Sequence, residues 1–394
     1  KTHLYKQLLI SLRLNPAHQS IPVQIREQLD FAYILYHKGL YKQSLKLLDK
    51  VKLLALNFEE KNLAYEVLEL EKIIESQYIT RSMNNRADIL IRQTREISAL
   101  NSLWGDLSNL SLELYAIFLK QGYCRTEEEA ISIKEYFKKQ LPDYTFSELG
   151  FREKLWVYKS HMWYSFLIQD FLGCYRYSMK WKELFVEYDH MIPVHPVSYL
   201  KGNHYLLESL FYLNHTELFE KTLIQLESSL RDAQIPHNDN IAALSFLYVY
   251  SNQLNLKFMK GEFGDNQELV KKITDKITKF KGRLDEHHIM VFYYKIACLY
   301  FGDGDNKKCI AFLKKIISNK SLGMREDLMC FSRILNLVAH YEAGLDYHLD
   351  HLVKSTYKFL IRMNDLHEVQ KEMIKFLRKL PDVSPLDIRD EFKK

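Results

Sequence analysis

The chain has 394 residues, and 47% of them are hydrophobic, which is enough for a large buried core. Its formal net charge of +5 is small for this length and does not require nucleic acid or a membrane surface as a partner. With only 13 glycines and 8 prolines the chain has too few turn residues for a sheet protein, so the composition predicts an all-α fold.

No apolar stretch approaches the roughly 18 residues that a membrane-spanning helix needs. The five cysteines include no CxxC pair and are scattered through apolar segments, which is typical of buried thiols in a reducing compartment. We therefore expect a cytoplasmic protein without a membrane span. The chain starts at Lys1 and not at Met, which leaves open a preceding targeting segment or output domain.

The N-terminal part of the chain predicts helices of irregular length. Pro22 suits the first turn of a helix, and Gly39 separates that helix from its partner. Residues 84–120 are expected to form two helices joined near 98–106, and Thr126 is a suitable cap for the helix that follows. The other helices expected here cover 22–36, 41–56, 59–78 and 126–141.

In the second part of the chain the helices come in clear pairs. The predicted pairs are 147–169 with 171–188, 196–213 with 216–232, 238–260 with 266–281, 285–301 with 306–319, and 324–343 with 347–363. A helix over 365–380 is expected to cap the array. We therefore predict irregular repeats over 1–140, regular repeats over 141–380 that continue from them, and a C-terminal tail over 381–394.

A spacing pattern recurs about every 40 to 47 residues. A small or apolar residue is followed seven positions later by a turn residue, and five positions after that by another small or apolar residue. The clearest examples are Ala32 with Gly39 and Ser44, and Ala297 with Gly304 and Cys309. Weaker ones are Leu337 with Gly344 and Leu349, Leu254 with Gly261 and Asn266, Met162 with Cys174, and Leu207 with Asn214 and Phe219. Such a period is typical of a helical solenoid, where each hairpin buries its apolar face against the next.

This pattern resembles that of the tetratricopeptide repeat family, in which small residues let paired helices approach and a glycine shapes the turn between them. The units are longer here than the usual length of about 34 residues. The Trp and Leu-Gly start and the closing proline of that family's repeat are absent. The resemblance implies a right-handed α-solenoid of about eight antiparallel helix hairpins. It also implies a non-enzymatic scaffold that holds a protein or peptide segment in its concave groove.

In such arrays the first helix of each pair lines the inner surface, which would here be aromatic. The candidate peptide-binding residues are Tyr33, Tyr36, Trp156, Trp163, Phe166, His204, Phe211, Tyr248, Phe258, Tyr294, Phe301, Phe331 and Tyr341. Aromatic rings give a large contact area with little rotamer entropy to lose. The alternative is that these rings only pack between repeats. A carboxylate clamp is not expected, because Lys159 and Asn255 are isolated in different hairpins.

A basic stretch offers a second interpretation. Residues 271–320 contain twelve Lys or Arg against five Asp or Glu. Such a surface attracts phosphates, and the affinity would then fall steeply with salt. A lysine-rich outer helix is more often a solvated face, so we do not expect nucleic acid as the partner and keep it as an alternative.

The sequence contains none of the common catalytic motifs. GxGxxG, GxxxxGK[ST], GxSxG and HExxH are all absent. Glu187 and His190 form a single Glu-x-x-His motif, whereas a di-iron bundle needs two. We therefore predict no enzymatic activity, no cofactor and no metal. Two further alternatives stay open, a regulator that senses a peptide and an enzyme whose site has no local motif. The oligomeric state is open as well.

Overall fold

The computed structural model describes residues 2–14, 20–77, 85–232, 235–319, 326–344, 349–361, 372 and 375–376. Over these residues the chain forms sixteen α-helices and two short 3-10 helices, and no strand. A single bridge between Lys281 and Leu284 is the only extended pairing in the same ranges. The all-α prediction is confirmed for this part of the chain. Most of the predicted helix over 365–380, and the tail over 381–394, lie outside the described residues.

The helices follow one another with short connections. In chain order they are α1 (Thr2–Leu14), α2 (Ile21–His37), α3 (Tyr41–Asn57), α4 (Lys61–Gln77), α5 (Arg86–Gln121), α6 (Glu127–Gln140), α7 (Phe151–Leu167), α8 (Phe171–Glu187), α9 (Pro196–Tyr212), α10 (Thr216–Ser229), α11 (Asp239–Lys260), α12 (Gln267–Lys279), α13 (Glu286–Gly302), α14 (Asn306–Ile317), α15 (Glu326–Glu342) and α16 (Leu349–Ile361). The two 3-10 helices are Phe146–Glu148 and Asp189–Met191. The helices predicted for the second part of the chain therefore appear with ends shifted by a few residues.

One prediction about the N-terminal part was wrong. The two helices expected over 84–120 are a single helix, α5, without a joint near 98–106. Gly105 lies inside it, and one glycine in a helix costs only about 1 kcal/mol. Leu107, Leu110 and Leu114 are buried on its next turns, and this burial offsets the cost of the glycine.

The cap predicted for α6 is confirmed. Thr126 Oγ1 accepts a hydrogen bond from the N–H of Glu129 at 3.2 Å. The Glu129 carboxylate accepts one from the N–H of Arg125 at 2.7 Å, so both side chains satisfy amides at the helix start.

Packing divides the chain into two compact units. The first holds residues 1–215 and 228–236, and the second holds 216–227 and 237–394. The boundary predicted at residue 140 lies inside the first unit, where Phe137 of α6 belongs to the same apolar cluster as Trp163 of α7. The division into irregular and regular repeats stays a prediction, as do the handedness and hairpin count of a solenoid.

Paired helices approach each other where the spacing pattern places small residues. The Ser44 hydroxyl of α3 donates a hydrogen bond to the carbonyl of Ala32 in α2 at 2.8 Å, and neither residue has exposed surface. The Cys174 thiol of α8 lies 3.8 Å from the carbonyl of Met162 in α7, again twelve positions apart. A small side chain here lets two backbones come within hydrogen-bonding range, so the pattern reports a helix-to-helix contact.

The turn residue of the pattern takes a left-handed backbone conformation. Positive φ angles occur, among other places, at Gly39, Gln169, Asn214, Gly261, Gly304 and Gly344, each seven positions after the packing residue of its first helix. Behind Gly39, the N–H of Leu40 bonds to the carbonyl of Leu35 at 2.9 Å, which closes the helix end. Only glycine adopts this conformation without cost, which explains its repeated use.

Buried ion pairs join helices in the first unit. Lys52 Nζ of α3 lies 2.6 Å from Glu71 of α4, and Arg86 Nη2 of α5 lies 2.9 Å from the same carboxylate. Glu71 has no exposed side-chain surface, and burial raises its pKa although both cations lower it. Lys61 of α4 likewise lies 2.6 Å from Glu153 of α7. These pairs hold α3, α4, α5 and α7 in register.

The Glu71 network gives a stability prediction. Glu71→Ala is expected to lower the free energy of unfolding by about 3–5 kcal/mol, because the buried Lys52 loses its carboxylate and the half-buried Arg86 loses the nearer of two. The control is Glu69→Ala on the same helix, whose ion pair with Lys72 is partly exposed and should matter by less than about 1 kcal/mol. Urea unfolding followed by circular dichroism measures both. Equal losses in the two variants would contradict a buried network.

Candidate functional site

The structure places the predicted groove residues at different depths. Trp163 and Phe166 are each 8% exposed and Tyr248 is 6% exposed, whereas Tyr33 and Phe331 are each 37% exposed. The others are half-buried, namely Tyr36, Trp156, His204, Phe211, Phe258, Tyr294, Phe301 and Tyr341. These residues belong to both compact units, and their forming one groove stays a prediction.

Trp163 and Phe166 lie inside an aromatic cluster of the first unit. The Phe118 ring is 5.7 Å from the Trp163 ring and 5.3 Å from the Phe166 ring, measured between ring centroids. Tyr123 stands 5.1 Å from Phe166, and its hydroxyl is 3.0 Å from that of Tyr212. Packing between helices therefore accounts for these two rings, which leaves little of them for a ligand to contact.

Trp156 lies on a different part of α7, beside cations. Arg152, Trp156 and Lys159 are spaced four and three positions apart and so share one face of that helix. The Glu153–Lys61 ion pair on the neighbouring face ties this end of α7 to α4. The same helix thus has a buried charged contact on one side and a half-buried cationic row on the other.

The amine of Lys159 sits between two indole rings. Its Nζ is 4.2 Å from the centroid of the Trp156 ring and 5.0 Å from that of Trp181 on α8. Its hydrogen bond goes to the Ser198 hydroxyl of α9 at 3.2 Å. A Cβ on Gly202 would stand 2.9 Å from the Trp181 indole, so glycine lets α9 pack this closely on α8. Three successive helices therefore converge on one amine.

Two further basic side chains lie on the same helix face or at the start of α9. The Arg152 guanidinium lies 4.4 Å from the Trp104 ring centroid and donates a hydrogen bond to the carbonyl of Glu59 at 3.0 Å. The imidazole of His195, just before α9, stacks on Phe151, and its Nε2 is buried without a hydrogen-bond partner. We call Arg152, Lys159, Lys201, Trp156, Trp181, His195 and Ser198 the cationic cluster.

The cationic cluster contains uncompensated positive charge. Burial, together with the nearby charge of Lys201, lowers the pKa of Lys159 to about 7. Burial also lowers the pKa of Lys201. The pKa of His195 falls to about 4 through burial and through the charges of Arg152 and Lys159. Within the described ranges none of Arg152, Lys159 and Lys201 forms an ion pair with a carboxylate.

A lysine of the second unit shows the contrasting arrangement. Lys295 of α13 donates to the Ser251 hydroxyl of α11 at 2.7 Å and to the Asn255 side-chain oxygen at 2.8 Å. Asn255, singled out from the sequence with Lys159, is therefore a partner of Lys295. Two close neutral acceptors surround the Lys295 amine, whereas one hydroxyl serves Lys159.

Sequence reasoning missed most of the cationic cluster. Lys201, Ser198 and His195 follow no recognisable motif, and Trp181 lies on a second helix of a pair, where no groove residue was sought. The one available signal was the spacing of Arg152 and Lys159 around a tryptophan on one helix. The approach of these residues to α9 depends on how α8 packs between α7 and α9.

Two other features are weaker candidates. A cavity of about 640 Å³ lies beside α1 and α2, and its lining includes Tyr33 and the ion pair of Arg13 with Asp30. α1 itself has no buried residue. In the ranges that the structure describes, no three His, Cys, Asp or Glu side chains come together to hold a metal ion.

The basic stretch over 271–320 is partly neutralised by local ion pairs. Lys272 lies 2.6 Å from Glu268, Lys308 lies 2.8 Å from Asp305, and Arg283 lies 2.6 Å from a carboxylate at the start of α11. Exposed pairs of this kind lower the field that a distant phosphate would meet.

Comparison with known proteins does not add to this description. No protein-family model matches the chain, and no curated protein or solved structure matches it either. Membership of the tetratricopeptide repeat family therefore stays a prediction. None of the described helices is both long enough and apolar enough to cross a membrane.

The depressed pKa of Lys159 predicts a pH-dependent stability effect. The folded state disfavours the protonated amine, so Lys159→Met removes a penalty that is fully present below pH 7 and disappears as the pH rises through about 10.5. We expect the free energy of unfolding of the variant to exceed that of the unchanged protein by about 1–3 kcal/mol at pH 6. Near pH 10.5 the two free energies should be equal.

The matched control is Lys46→Met, because Lys46 is exposed on α3 of the same unit. Urea unfolding at pH 6, 8 and 10.5 measures both variants. A gain that is the same at every pH, or that also appears in the control, would contradict a buried and uncompensated amine.

Proposed function

We propose that this protein is a non-enzymatic scaffold that binds a protein or peptide segment through the first helices of its helix pairs. In the first unit the contact is the face of α7 and α9 that carries the cationic cluster. The observation that supports this is the charge state of the cluster. Its three cations have no carboxylate partner among the described residues, while Lys52 and Lys61, buried in the same unit, each have one within 2.6 Å.

Uncompensated cations in a half-buried position cost free energy in the unliganded protein. Such a cost is typical of sites where a ligand supplies the missing charge. The half-buried rings of Trp156 and His204 add apolar contact area to the face. The groups that contact the Lys159 amine are two indoles and a hydroxyl, with no carboxylate or thiol to form an acid–base or nucleophilic pair. The arrangement is suited to recognition.

The proposed scaffold is a right-handed α-solenoid similar to tetratricopeptide repeats, with about eight antiparallel hairpins. The buried small residues where paired helices meet and the left-handed turns support it. We also propose a cytoplasmic location, which the five free thiols support. A peptide-sensing regulator would bind its peptide on the same face and would differ from a scaffold in having an output segment.

The proposal predicts a loss of affinity on truncating Trp156. Peptides selected from a display library against the whole chain should bind in solution, and Trp156→Ala should weaken them by at least about tenfold, because a central indole carries much of the binding energy. The control is Leu172→Ala, an exposed residue on the second helix of the same pair, which should change the affinity less than about twofold. Calorimetry measures binding, and circular dichroism checks helicity. A library without binders, or equal losses in both variants, would overturn the proposal.

The excess of basic residues over 271–320 supports nucleic acid as a second candidate partner. Binding of generic single-stranded RNA and double-stranded DNA is measured at about 50 and 200 mM salt, between which a phosphate-binding surface loses orders of magnitude in affinity. We expect no saturable binding at either concentration, because local carboxylates pair with several of these cations. A steep salt-dependent affinity would replace the peptide proposal by this one.

A further inference from the structure

We infer that the cationic cluster on α7 and α9 binds a phosphate monoester, carried as a phosphorylated side chain by the segment that occupies this face. This inference rests on the proposed peptide-binding function and names the chemical group that the site takes.

The first step is the charge that is missing. Lys159 and Lys201 are close enough for the charge of one to disfavour the charge of the other. Neither forms an ion pair in the part of the chain that the structure describes, whereas Lys61 has two carboxylates within 2.7 Å. A ligand that balances both amines needs two negative charges. A phosphate monoester carries about −1.5 to −2 near pH 7, while a carboxylate or a phosphate diester carries −1.

The second step is the number of donors. Ser198 and Lys201 are one helical turn apart on α9, so their side chains lie on the same face, and the Ser198 hydroxyl is 3.2 Å from Lys159 Nζ. Two ammonium groups and one hydroxyl match the three terminal oxygens of a phosphate monoester. A carboxylate has only two oxygens, so two of these donors would have to share one of them, and it supplies a single negative charge to two ammonium groups.

The third step is the position of the cluster on α9. This helix starts at Pro196, so Ser198 belongs to its first turn. First-turn amides have no acceptor within their own helix, and the positive end of the helix dipole favours an anion. The buried and unpartnered Nε2 of His195 lies at the same helix start. These features reinforce the side-chain cations.

The fourth step concerns the indoles. Trp156 and Trp181 place ring faces 4.2 and 5.0 Å from the Lys159 amine and displace water from it. A charge-assisted hydrogen bond is stronger where water is excluded. The charge of Lys201 acts on the Lys159 amine, and the charges of Lys159 and Arg152 both act on His195. Occupancy by an anion would raise the depressed pKa of Lys159. Binding should therefore take up a proton and weaken as the pH rises above 7.

The test uses the full chain and phenyl phosphate at pH 6.5, with tryptophan fluorescence and calorimetry as readouts. We expect saturable binding with a Kd below about 1 mM. Lys159→Met and Lys201→Met should each raise the Kd at least about tenfold, because each removes a charge-assisted hydrogen bond. Lys180→Met, an exposed lysine of α8, should leave it unchanged. Acetate and dimethyl phosphate at equal concentration should bind at least about tenfold more weakly, because each carries a single charge.

Absence of saturation up to about 20 mM phenyl phosphate, a Kd unchanged by both cluster variants, or acetate binding as tightly would each overturn the inference. A second arm compares serine peptides selected as above with their phosphoserine forms, where the phosphate should improve the affinity at least about tenfold through Lys159 and Lys201. Peptides that bind without any gain from the phosphate overturn this inference and leave the proposed function intact. Phenyl phosphate that binds while no peptide does overturns the proposed function and leaves the anion site.

Discussion

The close approach of two antiparallel helices at a small buried residue is the contact on which the rest of the structure depends. Where Ser44 meets the Ala32 carbonyl, or Cys174 the Met162 carbonyl, two backbones come within reach of one short side chain. A left-handed residue seven positions after the first packing residue then reverses the chain. Each helix thereby covers its neighbour. Backbone hydrogen bonds are satisfied inside each helix, so apolar side-chain contacts hold neighbouring helices together.

The cations in the first unit lie in two kinds of environment. Lys52 and Lys61 meet carboxylates at 2.6 Å and tie together helices that are distant in sequence. Lys159 lies against two indole rings, and Lys201 lies on α9 close enough to lower the pKa of Lys159; neither forms an ion pair with a carboxylate in the described part of the chain. Desolvation acts on both sets, and only the first is compensated within the described part of the chain. This difference separates the cations that join helices through ion pairs from those to which we assign a binding role.

The sequence predicted much of the secondary structure and little of the site. Helix starts and ends were readable because caps and glycines are local signals, as at Thr126 and Gly39. The joint predicted near Gly105 was wrong, because one glycine breaks a helix only weakly and buried leucines on the following turns outweigh it. Trp163 was predicted in the groove, and the structure places it against Phe118 and Phe166. On an apolar helix, the neighbouring helices that pack against a ring decide whether that ring is buried or faces a groove.

By itself the sequence determined the all-α class, the helix boundaries to within a few residues except inside α5, and two of the positions where paired helices touch. These properties depend on interactions between residues a few positions apart. The tertiary structure decided which cations are paired and which are not, and it brought Lys159 to Ser198 across the 39 positions between them. Distance in space between residues on α7, α8 and α9 follows from packing angles and side-chain volumes, which no local pattern encodes.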